Sequence, residues 1–300
     1  MTAETVFEGR ILSTDRMALG EGPGYDPETD LIWWFDITNC RLNFMNASNR
    51  DRRIITLPEM ASVLAPVDEK RQLIAMETGL YFRDTAHGAL TLHVAIEEDR
   101  PETRPNDGRV HPSGALWIST MGKEAEEGVG AIYHVLKGEV TKIVEGMTIP
   151  NAICFSPDGE TGYYVDTPVG KLMRMPLDPE TGLPDGDPEV FIDNAEKPGG
   201  MDGAVCDGDG HIWNARYGMG VLDHYHSDGR LIARYQLPAR QPTCPAFIGK
   251  DGGWMMVTTA AQNTRPEEEP NAGFTFALVT GARPRFDPPY LAEEPLPFRR

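Results

Sequence analysis

The chain has 300 residues, with 28 Lys and Arg against 46 Asp and Glu, a formal net charge of −18. With no basic run to follow phosphates, this balance excludes nucleic acid and anionic membrane surfaces as partners, and solubility is its ordinary reason. No apolar stretch approaches the ~20 residues that a membrane span requires.

The first ten residues, Met1-Thr-Ala-Glu-Thr-Val-Phe-Glu-Gly-Arg, lack the basic and apolar regions of a secretory leader, so a cytoplasmic location is expected. Cys40, Cys154, Cys206 and Cys244 form no C-x-x-C pair and read as free thiols of a reducing compartment. By the same logic Asn46-Ala-Ser is a glycosylation sequon only in form.

Along the chain, short apolar runs rich in aromatic and β-branched residues alternate with Gly, Pro and Asp turns. Examples are Leu31-Ile-Trp-Trp-Phe, Ala115-Leu-Trp-Ile-Ser, Gly130-Ala-Ile-Tyr-His-Val-Leu and Trp254-Met-Met-Val-Thr-Thr. Long helical periodicity is absent. A polar residue recurs where the first strand of each group begins: Glu21, Ser62, Asn106, Asn151, Asp202 and Thr243. Successive differences of 41, 44, 45, 51 and 41 place the period among radial β-repeats. About four strands per repeat make each unit a propeller blade. The chain therefore reads as one domain over 1–300, an all-β six-bladed β-propeller.

An open ring would leave unpaired edges. Thr5-Val-Phe-Glu-Gly-Arg-Ile-Leu ahead of the first repeat and Phe274-Thr-Phe-Ala-Leu-Val-Thr after the last are expected to pair and close it. A closed ring has no edge that demands a partner, so a monomer or weak homo-oligomer is expected.

The second repeat, Ser62-Val-Leu-Ala-Pro-Val-Asp-Glu-Lys, lacks the Gly turn and aromatic of the others but keeps the period. The longest step is explained by the loop Asp178-Pro-Glu-Thr-Gly-Leu-Pro-Asp-Gly-Asp. Its acidic spacing imitates a calcium loop, yet Leu183 stands where an EF-hand needs glycine, so a hairpin extension is expected. The Pro-rich end, Arg283 to Arg300, reads as a tail packed in part over the ring.

In a propeller the first strand of each blade lines the central channel, so the six polar residues converge on one mouth. Two carboxylates, two amides and two hydroxyls, without His or Cys, suit a hard cation: Ca²⁺, Mg²⁺ or Mn²⁺. Zn²⁺ would lack its favoured nitrogen or sulfur ligands. Any single Ser or Thr there is explained as water-facing channel lining. Gly20-Glu-Gly-Pro-Gly is no phosphate loop, since no helix follows; its glycines let the backbone bend around Glu21. No Gly-x-Ser-x-Gly elbow occurs and none of the seven histidines falls in the column, so a Ser-His-Asp nucleophile has no support. His224 and His226, beside the turn Ser227-Asp-Gly, are expected to be exposed. The composition of the column points to metal-assisted hydrolysis.

Four segments carry a resemblance over nearly the whole chain. They are Gly20-Glu-Gly-Pro; Arg104-Pro-Asn-Asp-Gly-Arg-Val-His-Pro-Ser-Gly with Thr120-Met-Gly; Ile149-Pro-Asn-Ala-Ile-Cys-Phe-Ser-Pro-Asp-Gly with Tyr164-Val-Asp; and Met201-Asp-Gly-Ala-Val-Cys-Asp. In order and spacing they resemble the regucalcin/gluconolactonase family of six-bladed propellers, also called senescence marker protein and luciferin-regenerating-enzyme-like. The resemblance implies one divalent cation, Ca²⁺ before Zn²⁺, Mg²⁺ or Mn²⁺, held by Glu21, Asn151 and Asp202. It implies substrate binding by Arg104 and Asn106, and by Glu124, which is similar to an acidic residue that touches sugar hydroxyls. The implied substrate is a sugar lactone such as gluconolactone, opened to the acid. With that substrate, Asp202 is the residue expected to help deprotonate the attacking water. Two departures stand out: Ala152 follows Asn151 where the family commonly has Gly, and the loop from Gly122 to Gly130 is short and acidic. Alternatives from other classes are a metal-dependent esterase or organophosphate hydrolase on the same scaffold, and a non-catalytic calcium or sugar-acid binding protein.

Overall fold

The computed structural model describes residues 2–293. Six sheets of four core strands follow one another as blades 1 to 6, over residues 20–56, 61–95, 103–147, 150–193, 200–236 and, with the fourth strand supplied by Gly9–Ser13, 242–278. The innermost strands are Gly20–Asp26, Ala61–Asp68, Thr103–Val110, Pro150–Phe155, Gly200–Cys206 and Pro242–Ile248. Each touches the innermost strand of the next blade, and the last touches the first, so the ring closes around a channel.

The closure expected from the two ends is present: Gly9–Ser13 pairs antiparallel with Thr275–Leu278 as the outer strand of blade 6. The most N-terminal stretch does something the sequence did not announce. Ala3–Thr5 leaves that blade and runs parallel to Leu231–Gln236 as a fifth strand of blade 5. One short segment thus covers edges in two neighbouring blades.

Period-2 alternation explains the packing. In Leu31–Asp36, Ile32 and Trp34 pack with Ile248 and Met256 of blade 6, whereas Trp33 and Phe35 pack with Leu64 and Ile74 of blade 2. Strands apolar on both faces are what a middle blade layer needs, because both faces are covered. Among the described residues, each of the six blade interfaces has its own apolar cluster. Fully burying one large side chain of this kind is worth about 1.5–3 kcal/mol, so stability is spread around the ring.

The Asp178 loop is a hairpin extension, as expected. Leu177 bridges Pro184, and Asp178 Oδ1 accepts from the amide of Glu180 at 2.8 Å, an Asx turn rather than a calcium loop. The loop reaches blade 3, where Trp117 Nε1 donates to the Gly182 carbonyl at 2.9 Å. All four cysteines are free, three of them buried.

The tail is described as far as residue 293; 294–300 lie outside the described residues. It crosses the face where the inner strands end. The Gly208 amide donates to the Arg283 carbonyl at 2.8 Å. Arg285 Nη1 donates to the Phe155 carbonyl at 2.8 Å, and Tyr290 is buried in the cluster between blades 2 and 3. Between these anchors Asp287 accepts from the buried Arg109 Nη1 at 2.7 Å. Arg109 also donates to the carbonyls of Ile153 and Ala204, at 3.2 and 3.0 Å. The strap therefore shuts the end of the channel opposite the polar column.

Candidate functional site

The six column residues sit at one bulge in each inner strand, whose pairing with the second strand is irregular at Glu21/Gly24, Ala61/Val63, Pro105/Gly108, Asn151/Cys154, Met201/Ala204 and Pro242/Pro245. Ser62, Asn106, Asp202 and Thr243 fall inside the unpaired gap, while Glu21 and Asn151 are the last paired residues before it. A bulge re-aims the side chains at and beside it, here toward the channel. Backbone chemistry serves this turn. Gly22 has φ +53°, and a Cβ there would meet the Ser62 carbonyl oxygen, so the glycine after Glu21 is required. Ala152, after Asn151, holds φ 56° without being glycine and carries the strain of that conformation.

Glu21, Asn151, Asp202, Asn106 and Arg104 are all buried; hydrogen bonds join Arg104, Asn106 and Asn151, and the charges of Glu21 and Asp202 act on each other and on Arg104. Arg104 Nη1 donates to Asn106 Oδ1 at 2.8 Å and to the Pro105 carbonyl at 2.9 Å. Asn106 Nδ2 donates to Asn151 Oδ1 at 3.0 Å and to the Pro150 carbonyl at 2.9 Å. Asn151 Nδ2 donates to Thr167 Oγ1 at 3.0 Å, and that hydroxyl donates to the Met201 carbonyl at 2.7 Å, beside Asp202. These contacts point the Asn151 amide oxygen into the cluster. Glu21 and Asp202 each accept one bond from the next residue's amide, Gly22 at 2.9 Å and Gly203 at 3.0 Å. Among the described residues, their remaining oxygens accept none.

Asp107 is a member that the sequence reading missed. In a regular strand the neighbour of Asn106 would face away; the bulge lets both turn to the channel. Asp107 is held as a fixed acceptor, from the Ile153 amide at 2.7 Å and the Gly108 amide at 2.9 Å. Burial, then the charge of Asp107, pushes the Glu21 carboxyl up to about 8. Burial, then Glu21 and Asp107, pushes Asp202 well above the carboxylate range. Burial brings Arg104 down to about 10 against the pull of Glu21 and Asp202. Three acids crowded in a dry site are mutually unfavourable, and a divalent cation relieves that. The free oxygens of Glu21 and Asp202 with the Asn151 amide oxygen form an all-oxygen donor set that suits a hard cation.

The other expectations resolve as follows. Glu124 lies exposed on the loop after Gly122, and its amide donates to Glu126 Oε2 at 3.2 Å; among the described residues no hydrogen bond ties it to the cluster. Ser62 and Thr243 are not water-facing lining, for both are 0% exposed. Thr243 Oγ1 donates to the Gly20 carbonyl at 2.5 Å and so joins blade 6 to blade 1, while Ser62 Oγ has no partner among the described residues. Their small hydroxyls sink behind the bulge instead of projecting past it. His224 and His226 are half-buried rather than exposed, because His224 stacks on Trp213 at 3.7 Å between ring centres.

Comparison with known proteins agrees with this architecture. Residues 19–261 match the SMP-30/Gluconolactonase/LRE-like region. A protein of Rhizobium meliloti (strain 1021) named "Putative sugar lactone lactonase" is 49% identical over 97% of this chain and 99% of its own length. A 6-deoxy-6-sulfogluconolactonase of Pseudomonas putida is 32% identical over 86% of this chain and 90% of its own. The crystal structure of a calcium-binding protein, regucalcin, from Agrobacterium tumefaciens str. C58 superposes with a TM-score of 0.95 at 51% identity, covering 97% of this chain and 99% of that one.

Proposed function

We propose that this chain, which belongs to the SMP-30/gluconolactonase/LRE-like family, hydrolyses a sugar lactone in the mouth of its channel with the help of one divalent cation. The observation that carries the reading is the burial of Glu21 and Asp202 together, each with an oxygen left free. Glu21, Asn151 and Asp202 are the residues that would hold the cation, calcium before zinc, magnesium or manganese. When bound, such an ion stabilises negative charge growing on a carbonyl oxygen and makes water more acidic.

The chain's own residues do the rest. Arg104 spends Nη1 on Pro105 and Asn106; among the described residues its other nitrogens have no partner, and they are donors for ring and hydroxyl oxygens of a polyhydroxylated substrate. Asn106 is fixed by the same bonds and holds the substrate beside Arg104. Asp202, with one oxygen bonded to the Gly203 amide and the other free, takes the proton of the attacking water. Water adds to the lactone carbonyl carbon, the ring C–O bond breaks, and the ring oxygen leaves as a hydroxyl with that proton, giving the open acid. Asp107 is unsuited to this transfer because both of its oxygens accept backbone amides.

The description of the Agrobacterium tumefaciens relative as a calcium-binding protein favours a second reading, binding without turnover. A panel of aldonolactones assayed with chelator, and then with each metal restored, separates the two. Hydrolysis that disappears with chelator and falls about 10²-fold or more in Asp202→Asn is expected. Unchanged metal-dependent hydrolysis in Asp202→Asn overturns the role of Asp202, and no turnover of any lactone leaves the binding reading.

A further inference from the structure

Blade 5 carries a second cluster of metal-ligating side chains, separate from the channel and independent of the function proposed for it. Asp207 follows the inner strand Gly200–Cys206, His211 ends the turn that follows, and His224 lies on the third strand, Val221–Tyr225. His224 Nε2 and His211 Nδ1 are 3.2 Å apart, and each is 3.9 Å from Asp207 Oδ2. Three ligand atoms thus form a small, nearly regular triangle. A tetrahedral ion with bonds of ~2.0–2.1 Å places its ligands about 3.3 Å apart. The His–His edge already has that length, and the two His–Asp edges reach it by a movement of roughly half an ångström in half-buried imidazoles.

Surrounding bonds hold the carboxylate for such use. Asp207 Oδ1 accepts the amides of Asp209 and His211, both at 2.9 Å, and Oδ2 accepts Trp213 Nε1 at 2.9 Å. Oriented carboxylates of this kind are a common requirement of metal sites. The Trp213 ring lies under His224 with planes 13° apart, which fixes the imidazole. His226 packs against His211 with ring centres 4.9 Å apart, but its Nδ1 faces Asp228 at 3.1 Å, which leaves it outside the triangle. Arg283 pairs with Asp209 at 3.5 Å on the exposed side.

We propose that Asp207, His211 and His224 form a zinc site that staples the first turn of blade 5 to its third strand, with solvent completing the coordination. Two imidazoles and one carboxylate select a borderline transition ion rather than calcium, so this site and the channel prefer different metals. The alternative for the same atoms is a plain hydrogen bond between the two rings.

Calorimetric titration of the full-length protein with ZnCl₂ decides between them. The Glu21→Gln/Asp202→Asn double variant is expected to retain one equivalent of zinc bound, and adding His211→Asn or His224→Gln to it is expected to remove that equivalent. Zinc should also raise the melting temperature of the double variant in a concentration-dependent way. Should the histidine variants fail to fold, nitrogen NMR of the protein with intact histidines answers directly: zinc must shift His211 Nδ1 and His224 Nε2. Unchanged zinc stoichiometry on removing either histidine, or unmoved resonances at saturating zinc, overturns the site.

Discussion

Blades 1, 3, 4 and 5 and blades 2 and 6 use the bulge of the inner strand for opposite ends. In the first group a long polar side chain projects past the bulge and meets its counterparts, at an energetic cost visible in the raised carboxyl pKa values of Glu21 and Asp202. In the second group a short hydroxyl stays behind the bulge; Thr243 joins two blades through the Gly20 carbonyl. Residues at the same bulge therefore divide between stored electrostatic strain and ordinary cohesion, a division common where function opposes stability.

The sharpest way to break this comparison is a pair of substitutions with crossed effects. Glu21→Gln keeps the side-chain shape but removes a buried charge. It is expected to cut lactone turnover by about 10²-fold or more while leaving the metal-free protein as stable as the parent or more stable at pH 8. Thr243→Val should do the reverse, keeping activity within a few-fold and costing about 1–2 kcal/mol in urea unfolding, since the Gly20 carbonyl loses its donor. If Thr243→Val lost activity as Glu21→Gln does, the division would be wrong.

A second measurement sharpens it through pH. The Glu21 carboxyl has a folded-state pKa of about 8 against an ordinary value of 4.5. A raised pKa means that the native state holds the proton more tightly, so this contribution is fully present below pH 4.5 and is lost as pH rises through about 8. The melting temperature of the chelated protein, compared with Glu21→Gln, should therefore fall more steeply between these limits. A cation takes over from the proton, so the rise in melting temperature on adding it should be larger at pH 8 than at pH 5. Equal shifts at both would mean that the acids are not its ligands.

The smallest effect concerns Asn151. Ala152→Gly relieves the φ of 56° at the next residue but removes a buried methyl. The left-handed penalty of roughly 1–2 kcal/mol per residue slightly exceeds the methyl's worth, so a gain of about 1 kcal/mol or less is expected by chemical denaturation, with kcat unchanged. A loss of stability would show that the methyl's packing outweighs the strain.

Most of the architecture was legible because it repeats. One period brought out the blades, the equivalent positions and the closing strand, and the bulges show that the spacing of Glu21, Asn106, Asn151 and Asp202 carried three-dimensional meaning. What stayed hidden was whatever departs from the repeat. Asp107 breaks strand alternation at a bulge, so no period-2 reading turns it inward. Ala3–Thr5 pairs with a strand more than two hundred positions away, in parallel, with no turn to announce it. His211 and His224 belong to different strands, and their meeting over Asp207 depends on the blade's register, Trp213 opposite His224. The exposure expected for Ser62 and Thr243 failed because side-chain length, which a column of polar letters does not weigh, decides which residues reach past the bulge.

The strap held by Arg109 and Asp287 turns the channel from a tunnel into a vestibule with one door. Whatever enters must leave by the way it came, so departing product and arriving substrate compete for the same passage.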